Sequence, residues 1–120
     1  AILACGHMTA KALDAADLLA MDGVQARVVN VSTIKPLDAA AVLAAVKGCS
    51  HIFTVEEHSI IGGLGSAVAE VMAETGRGVR LVRLGTHDVF GESGVADELL
   101  AKHGLTPSAV ADRLSQELSR

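Results

Sequence analysis

The sequence predicts an α/β domain, a three-layer α/β/α sandwich around a mainly parallel sheet, on three observations. Half of the 120 residues are apolar and only two are aromatic, both Phe, with no Trp or Tyr; β-branched strands covered by small-residue helices have this make-up. Four short runs rich in β-branched residues, Ile2 to Cys5, Ala26 to Val31, His51 to Val55 and Val79 to Leu84, read as buried strands. Their starts fall about 24 to 28 residues apart with helical patterns between them, the rhythm of βα units that build parallel sheets. The whole of residues 1–120 is one domain's worth of chain, enough for a single core.

Each element has its own signal. After the first strand a helix is expected from about Met8 to Asp22, burying Leu13, Ala16 and Ala20, with Gly23 ending it in a left-handed conformation. Beyond the second strand, Lys35-Pro36 keeps the chain extended, Asp38 caps a helix over Ala39 to Lys47, and Leu37 staples onto Val42 before Gly48 closes it. The third helix, from about Gly65 to Glu74, turns Leu64, Val68, Val71 and Met72 to the sheet and stops at Gly76. A polar segment, Gly85 to Gly94, leads into a helix from about Val95 to His103. The last helix starts at an N-cap, Thr106, with Pro107 in its first position and Leu105 stapled to Val110; Val110, Leu114 and Leu118 form its buried stripe. Helices lie on both sides of the sheet because right-handed crossovers put them there.

Charge and composition narrow the function classes. Ten basic and fourteen acidic side chains give a net charge of −4. Without a basic patch or aromatics to stack bases, no nucleic-acid partner is expected. No apolar run approaches the ~18 to 20 residues that span a bilayer, and no cleavable leader opens the chain, so a cytoplasmic protein without a membrane partner is expected. Cys5 and Cys49 stand in no C-x-x-C spacing and are expected as buried, reduced thiols. The chain opens at Ala1-Ile2-Leu3-Ala4 as if cut at a strand, which leads us to expect a piece of a longer protein.

Two segments could carry function. In Val55-Glu56-Glu57-His58-Ser59-Ile60-Ile61-Gly62-Gly63-Leu64-Gly65-Ser66-Ala67, a strand end meets a helix start, where open α/β sheets bind ligands and free amides attract anions. Its G-G-x-G spacing is neither a dinucleotide fingerprint nor a P-loop, so the glycines serve a tight turn and close helix packing, or else an anion. Glu56, His58, Gly62, Gly63, Gly65 and Ser66 are the candidates for this anion or interface loop. Glu56 and His58 share a face of an extended chain; as two ligands without a third they are no metal site, and hydrogen bonds to backbone amides or to a neighbouring domain suit them better. The second segment, Gly85 to Gly94, exposes Phe90 unless something covers it; with His87, Asp88, Ile60 and Ile61 it forms a candidate interface. Ser59, Ser66 and Ser93 stand outside any G-x-S-x-G elbow, which removes a hydrolase reading.

Taken together, Ile34-Lys35-Pro36-Leu37-Asp38, then Val55-Glu56-Glu57-His58 with Gly62-Gly63-Leu64-Gly65-Ser66-Ala67-Val68-Ala69-Glu70, then Phe90-Gly91-Glu92-Ser93-Gly94, resemble the C-terminal domain of transketolase-like proteins over nearly the whole chain. The last motif is most similar to split or stand-alone transketolase C-terminal sections; His87, where relatives often carry Pro, departs from the pattern. The resemblance implies a five-stranded mixed sheet whose antiparallel edge strand would precede Ala1. It also implies a parent enzyme, a dimer, that moves a two-carbon ketol unit between sugar phosphates with thiamine diphosphate and magnesium. In that family the cofactor lies between two other domains, and neither a Gly-Asp-Gly cation motif nor a counterpart of the catalytic glutamate occurs here. The resemblance therefore implies no catalytic residue, metal ligand or cofactor in this chain, whose partners would be other domains or subunits of the same enzyme. Two alternatives stand beside it: an anion- or nucleotide-binding regulatory module, and the C-terminal domain of a 2-oxoacid dehydrogenase β subunit that docks a partner.

Overall fold

The structure is a computed structural model that describes all residues, Ala1–Arg120. Nine elements follow one another: β1 (Ile2–Ala4), α1 (Met8–Met21), β2 (Val28–Asn30), α2 (Ala39–Ala45), β3 (His51–Ser59), α3 (Leu64–Thr75), β4 (Arg80–Thr86), α4 (Ala96–Lys102) and α5 (Pro107–Leu118). All strand pairs are parallel and the order is β2-β1-β3-β4. No helix is long and apolar enough to cross a membrane.

Strand alternation divides the core in two. Ile2, Ala4, Phe53, Val55, Val82 and Leu84 face one side, packed with α1 and α5 and with Leu100 of α4. Leu3 and Ile52 face the other side, under Val42 of α2 and Leu64, Val68 and Met72 of α3. These are the three layers that the strand and helix pattern predicts.

Local signals place the helix ends well. The Asp38 side chain accepts from the amide of Ala41 at 2.9 Å, and Thr106 accepts from Ala109 at 3.3 Å, each satisfying an orphan donor of a first turn. Gly23 ends α1 at φ +80, its N–H donating to Ala20 and that of Val24 to Leu19, the Schellman pattern. The Lys35–Pro36 peptide is cis.

Several expectations are corrected. The buried face of α1 is Met8, Ala12, Ala15 and Leu19, whereas Leu13 is 52% exposed, Ala20 is exposed and Ala16 is half-buried. Apolar residues occupy so much of this helix that periodicity alone sets no phase; contacts with the sheet and α5 select the row that includes the small Ala12 and Ala15. Leu118 is half-buried while Glu117, one position earlier, is buried. Cys5 and Cys49 are free thiols but half-buried. Burial, with the charge of Glu56 adding, raises the Cys5 thiol above its ordinary range. Finally, β3 runs four residues beyond Val55, so Glu56, Glu57 and His58 lie in the strand, across an irregularity in its register with β4 between Val55 and Ser59.

Candidate functional site

The extension of β3 decides what the glycine-containing turn can do. Glu56 points to the side of the sheet that α3 covers and is 1% exposed. Its Oε1 accepts from the amide of Leu64 and its Oε2 from that of Gly65, both at 2.8 Å. A carboxylate of the chain itself therefore sits at the N-terminus of α3, where free N–H groups and the helix dipole favour a negative charge. No side chain of the preceding residues caps this helix. Two of the first-turn donors an outside anion would use, the Leu64 and Gly65 amides, are already bound.

Each glycine has a separate reason. A Cβ on Gly63 would lie 1.8 Å from Oε1 and 2.8 Å from Cδ of Glu56, so the backbone can approach the carboxylate only without a side chain. A Cβ on Gly65 would meet Thr54 Oγ1 and the aliphatic stem of Arg83, at 2.7 to 2.8 Å. Gly62 turns the chain at φ +79. Gly85, which the sequence places in a loop, lies inside β4; a Cβ there would come within 2.6 Å of the His58 carbonyl, where the irregular part of β3 crowds its neighbour.

The turn is braced from within. Ser66 Oγ accepts from the amide of Gly62 at 2.9 Å and lies 3.3 Å from the Ile60 carbonyl, while Ser59 Oγ accepts from the amide of Ile61 at 3.2 Å. Arg83 donates to the same Ile60 carbonyl at 2.9 Å. The sequence reading missed Arg83; the signal available was a cation in the middle of an apolar strand. His58 does converge with Glu56, its Nδ1 3.7 Å from Oε1, but the ring is mostly exposed and Nδ1 is 2.8 Å from the Ser59 carbonyl. Glu57 faces solvent. The arrangement ties a helix to a strand through the buried Glu56 carboxylate.

The interface candidates are also brought together. The Ile60 amide donates to Thr86 at 3.0 Å, which sets the Ile60–Ile61 turn beside the segment after β4. There His87, Asp88 and Phe90 are exposed, as is Ile61, while Ile60 is half-buried. At the opposite end of β4 a second buried carboxylate appears that the sequence reading did not anticipate. Glu117, 1% exposed, is paired with Arg80, with Arg113 at 2.8 Å and with Arg120 at 3.6 Å. The hydrogen bond from Arg80 holds this carboxyl below its ordinary range; burial opposes that, and the charges of Arg120, Arg80 and Arg113 reinforce it. A charged residue inside an apolar helical stripe, between Leu114 and Leu118, was the legible hint.

Comparison with known proteins agrees with this architecture. The family model described as transketolase, C-terminal domain, matches residues 1–110. A transketolase C-terminal section of Methanocaldococcus jannaschii is 44% identical over 119 residues, covering 99% of this chain and 37% of the relative. A 6-deoxy-6-sulfo-D-fructose transketolase subunit of a Clostridium species is 48% identical, covering 91% of this chain and 34% of its own. The 1-deoxy-D-xylulose-5-phosphate synthase of Chlorobium phaeovibrioides is 40% identical across 94% of this chain but only 18% of the synthase. Among solved structures, a split-gene transketolase described as an inactive β4 tetramer superposes with a TM-score of 0.90 at 45% identity, covering 98% of this chain and 38% of that one. The transketolase of Campylobacter jejuni, at 20% identity, 99% of this chain and 16% of its own, shares the fold with a TM-score of 0.70. The chain thus spans about a third of the split relatives and less than a fifth of the synthase.

Proposed function

Because this chain belongs to the transketolase C-terminal domain family, we propose that it is the non-catalytic assembly domain of a transketolase-type enzyme, one that transfers a two-carbon ketol unit between sugar phosphates. The observation that carries the non-catalytic part is the Glu56 carboxylate on the Leu64 and Gly65 amides. The place where an open α/β sheet would receive a phosphorylated ligand is closed by an internal anion, which makes the turn a structural joint. The same geometry weighs against the anion- or nucleotide-binding alternative, since a phosphate would meet the buried Glu56 carboxylate on the Leu64 and Gly65 amides.

Thiamine diphosphate and magnesium belong, in this reading, to other domains of the parent. The residues present here do not fit the cofactor: the Leu64 and Gly65 amides are taken, and a pyrophosphate beside Glu56 would be repelled. The relatives named as transketolase sections or subunits support a chain that works joined to further domains, in one polypeptide or several. The parent is proposed as a cytoplasmic homodimer, within which residues 1–120 are one domain excised from the longer protein.

Calorimetric titration tests the reading. Thiamine diphosphate with magnesium, inorganic phosphate and ATP, each added to this chain, should give no saturable heat. The assembled parent should bind thiamine diphosphate and transfer ketol units. Saturable phosphate or ATP binding that shifts the Leu64 and Gly65 amide resonances would overturn it.

A further inference from the structure

The entire formal charge of this protein sits in one stretch. Residues 85–98 contain Asp88, Glu92, Asp97 and Glu98 and neither lysine nor arginine, while the rest of the chain balances ten acidic side chains against all ten basic ones. The same stretch carries the apolar groups that packing leaves uncovered: Phe90 is fully exposed, and Val89 and Val95 are each 62% exposed. Ile61, 63% exposed, joins them from the neighbouring turn. Single exposed apolar side chains need no explanation, but several grouped at one corner within an acidic frame do.

Two of the acids are neutralised inside the chain, Glu92 by Lys102 and Asp97 by Lys11 at 3.6 Å. Asp88 and Glu98, and Glu57 at the end of β3, are exposed and make no ion pair. Resting on the assembly role proposed above, we infer that this corner is a docking surface for a partner chain of the enzyme that presents an apolar socket for Phe90 rimmed by lysine or arginine side chains. An aromatic anchor in a socket supplies most of the affinity in such a contact, and complementary rim charges supply orientation and association rate. A second acidic corner of the same kind is the wrong occupant, because like charges would face each other.

The test is sedimentation velocity of the full-length parent enzyme at about 0.05 and 0.5 M NaCl, a range over which the screening length falls severalfold. Phe90→Ala should raise the dissociation constant of the assembly by ~10-fold or more at either salt. Asp88→Asn with Glu98→Gln should raise it by roughly 3- to 10-fold at low salt and flatten its salt dependence. All three side chains are exposed, so folding is not at stake. Wild-type association that strengthens with salt would identify a second acidic corner as occupant and overturn the inference, as would assembly indifferent to both variants. Thiamine-diphosphate-dependent ketol transfer by the same wild-type preparation separates the two readings. Activity with no effect of the variants removes this surface alone, whereas no activity removes the assembly role beneath it.

Discussion

Replacing Gly63 by alanine tests the central claim that a buried carboxylate, and not backbone conformation, demands glycine there. Gly63 has φ −102, so alanine meets no left-handed strain. The new Cβ would lie 1.8 Å from Glu56 Oε1, against the roughly 3.4 Å of ordinary contact, so about 1.5 Å of movement is required. If α3 moves, Leu64 and Val68, both fully buried, lose their packing. If Glu56 moves, two charge-assisted hydrogen bonds of about 1.5 to 3 kcal/mol each are lost, and the carboxylate has no water to replace them. Either way Gly63→Ala should cost ~3 to 5 kcal/mol, a large share of the about 5 to 15 kcal/mol typical of a domain. Urea unfolding followed by circular dichroism measures it. The discriminating experiment repeats the substitution in a Glu56→Ala background. There the obstacle is gone, apart from the exposed His58 ring, and the added cost should fall to about 1 kcal/mol or less, a coupling of at least ~2 kcal/mol. An equal cost in both backgrounds, or under ~1 kcal/mol in the wild type, would refute the reasoning.

Two further outcomes are expected. Leu19→Ala should destabilise by ~2 to 5 kcal/mol and Leu13→Ala by less than about 0.5 kcal/mol in the same assay, because only Leu19 lies on the buried face of α1. The Glu117 carboxyl has a lowered folded-state pKa, so the unfolded chain takes up its proton first as the solution is acidified. Its contribution is complete above the ordinary carboxylate range and is lost as pH falls through the folded-state value. Glu117→Gln should therefore be less stable than the wild type at pH 7, with the gap narrowing below about pH 4, as followed by urea midpoints across the acid range. A gap constant with pH would show that ionisation of Glu117 is not what stabilises the contact.

How much of this was legible in the sequence varies with the reach of the interaction. Asp38 and Thr106 were recognisable as caps because each bonds an amide three residues ahead. The reading of the glycine segment allowed a tight turn, an anion or an interface, and gave Glu56 backbone amides or a neighbouring domain as partners without saying which amides. The bond that closes the turn joins residues eight and nine apart, through a strand whose extension past Val55 no local pattern announced. Gly62, Gly63 and Gly65 read as one motif in sequence and serve three different constraints in space.

By itself, the sequence determined the α/β class, the order of strands and helices and most helix ends, because these rest on composition, periodicity and bonds within a turn of chain; the resemblance to the transketolase C-terminal domain rests on three ordered motifs. Only the tertiary structure decided which face of α1 is buried, that Glu56 fills the α3 N-terminus, and that Glu117 is drawn in beside Arg80, thirty-seven residues away. Those outcomes depend on which distant groups meet once the layers close, and a buried charge is tolerated only where such partners arrive to hold it.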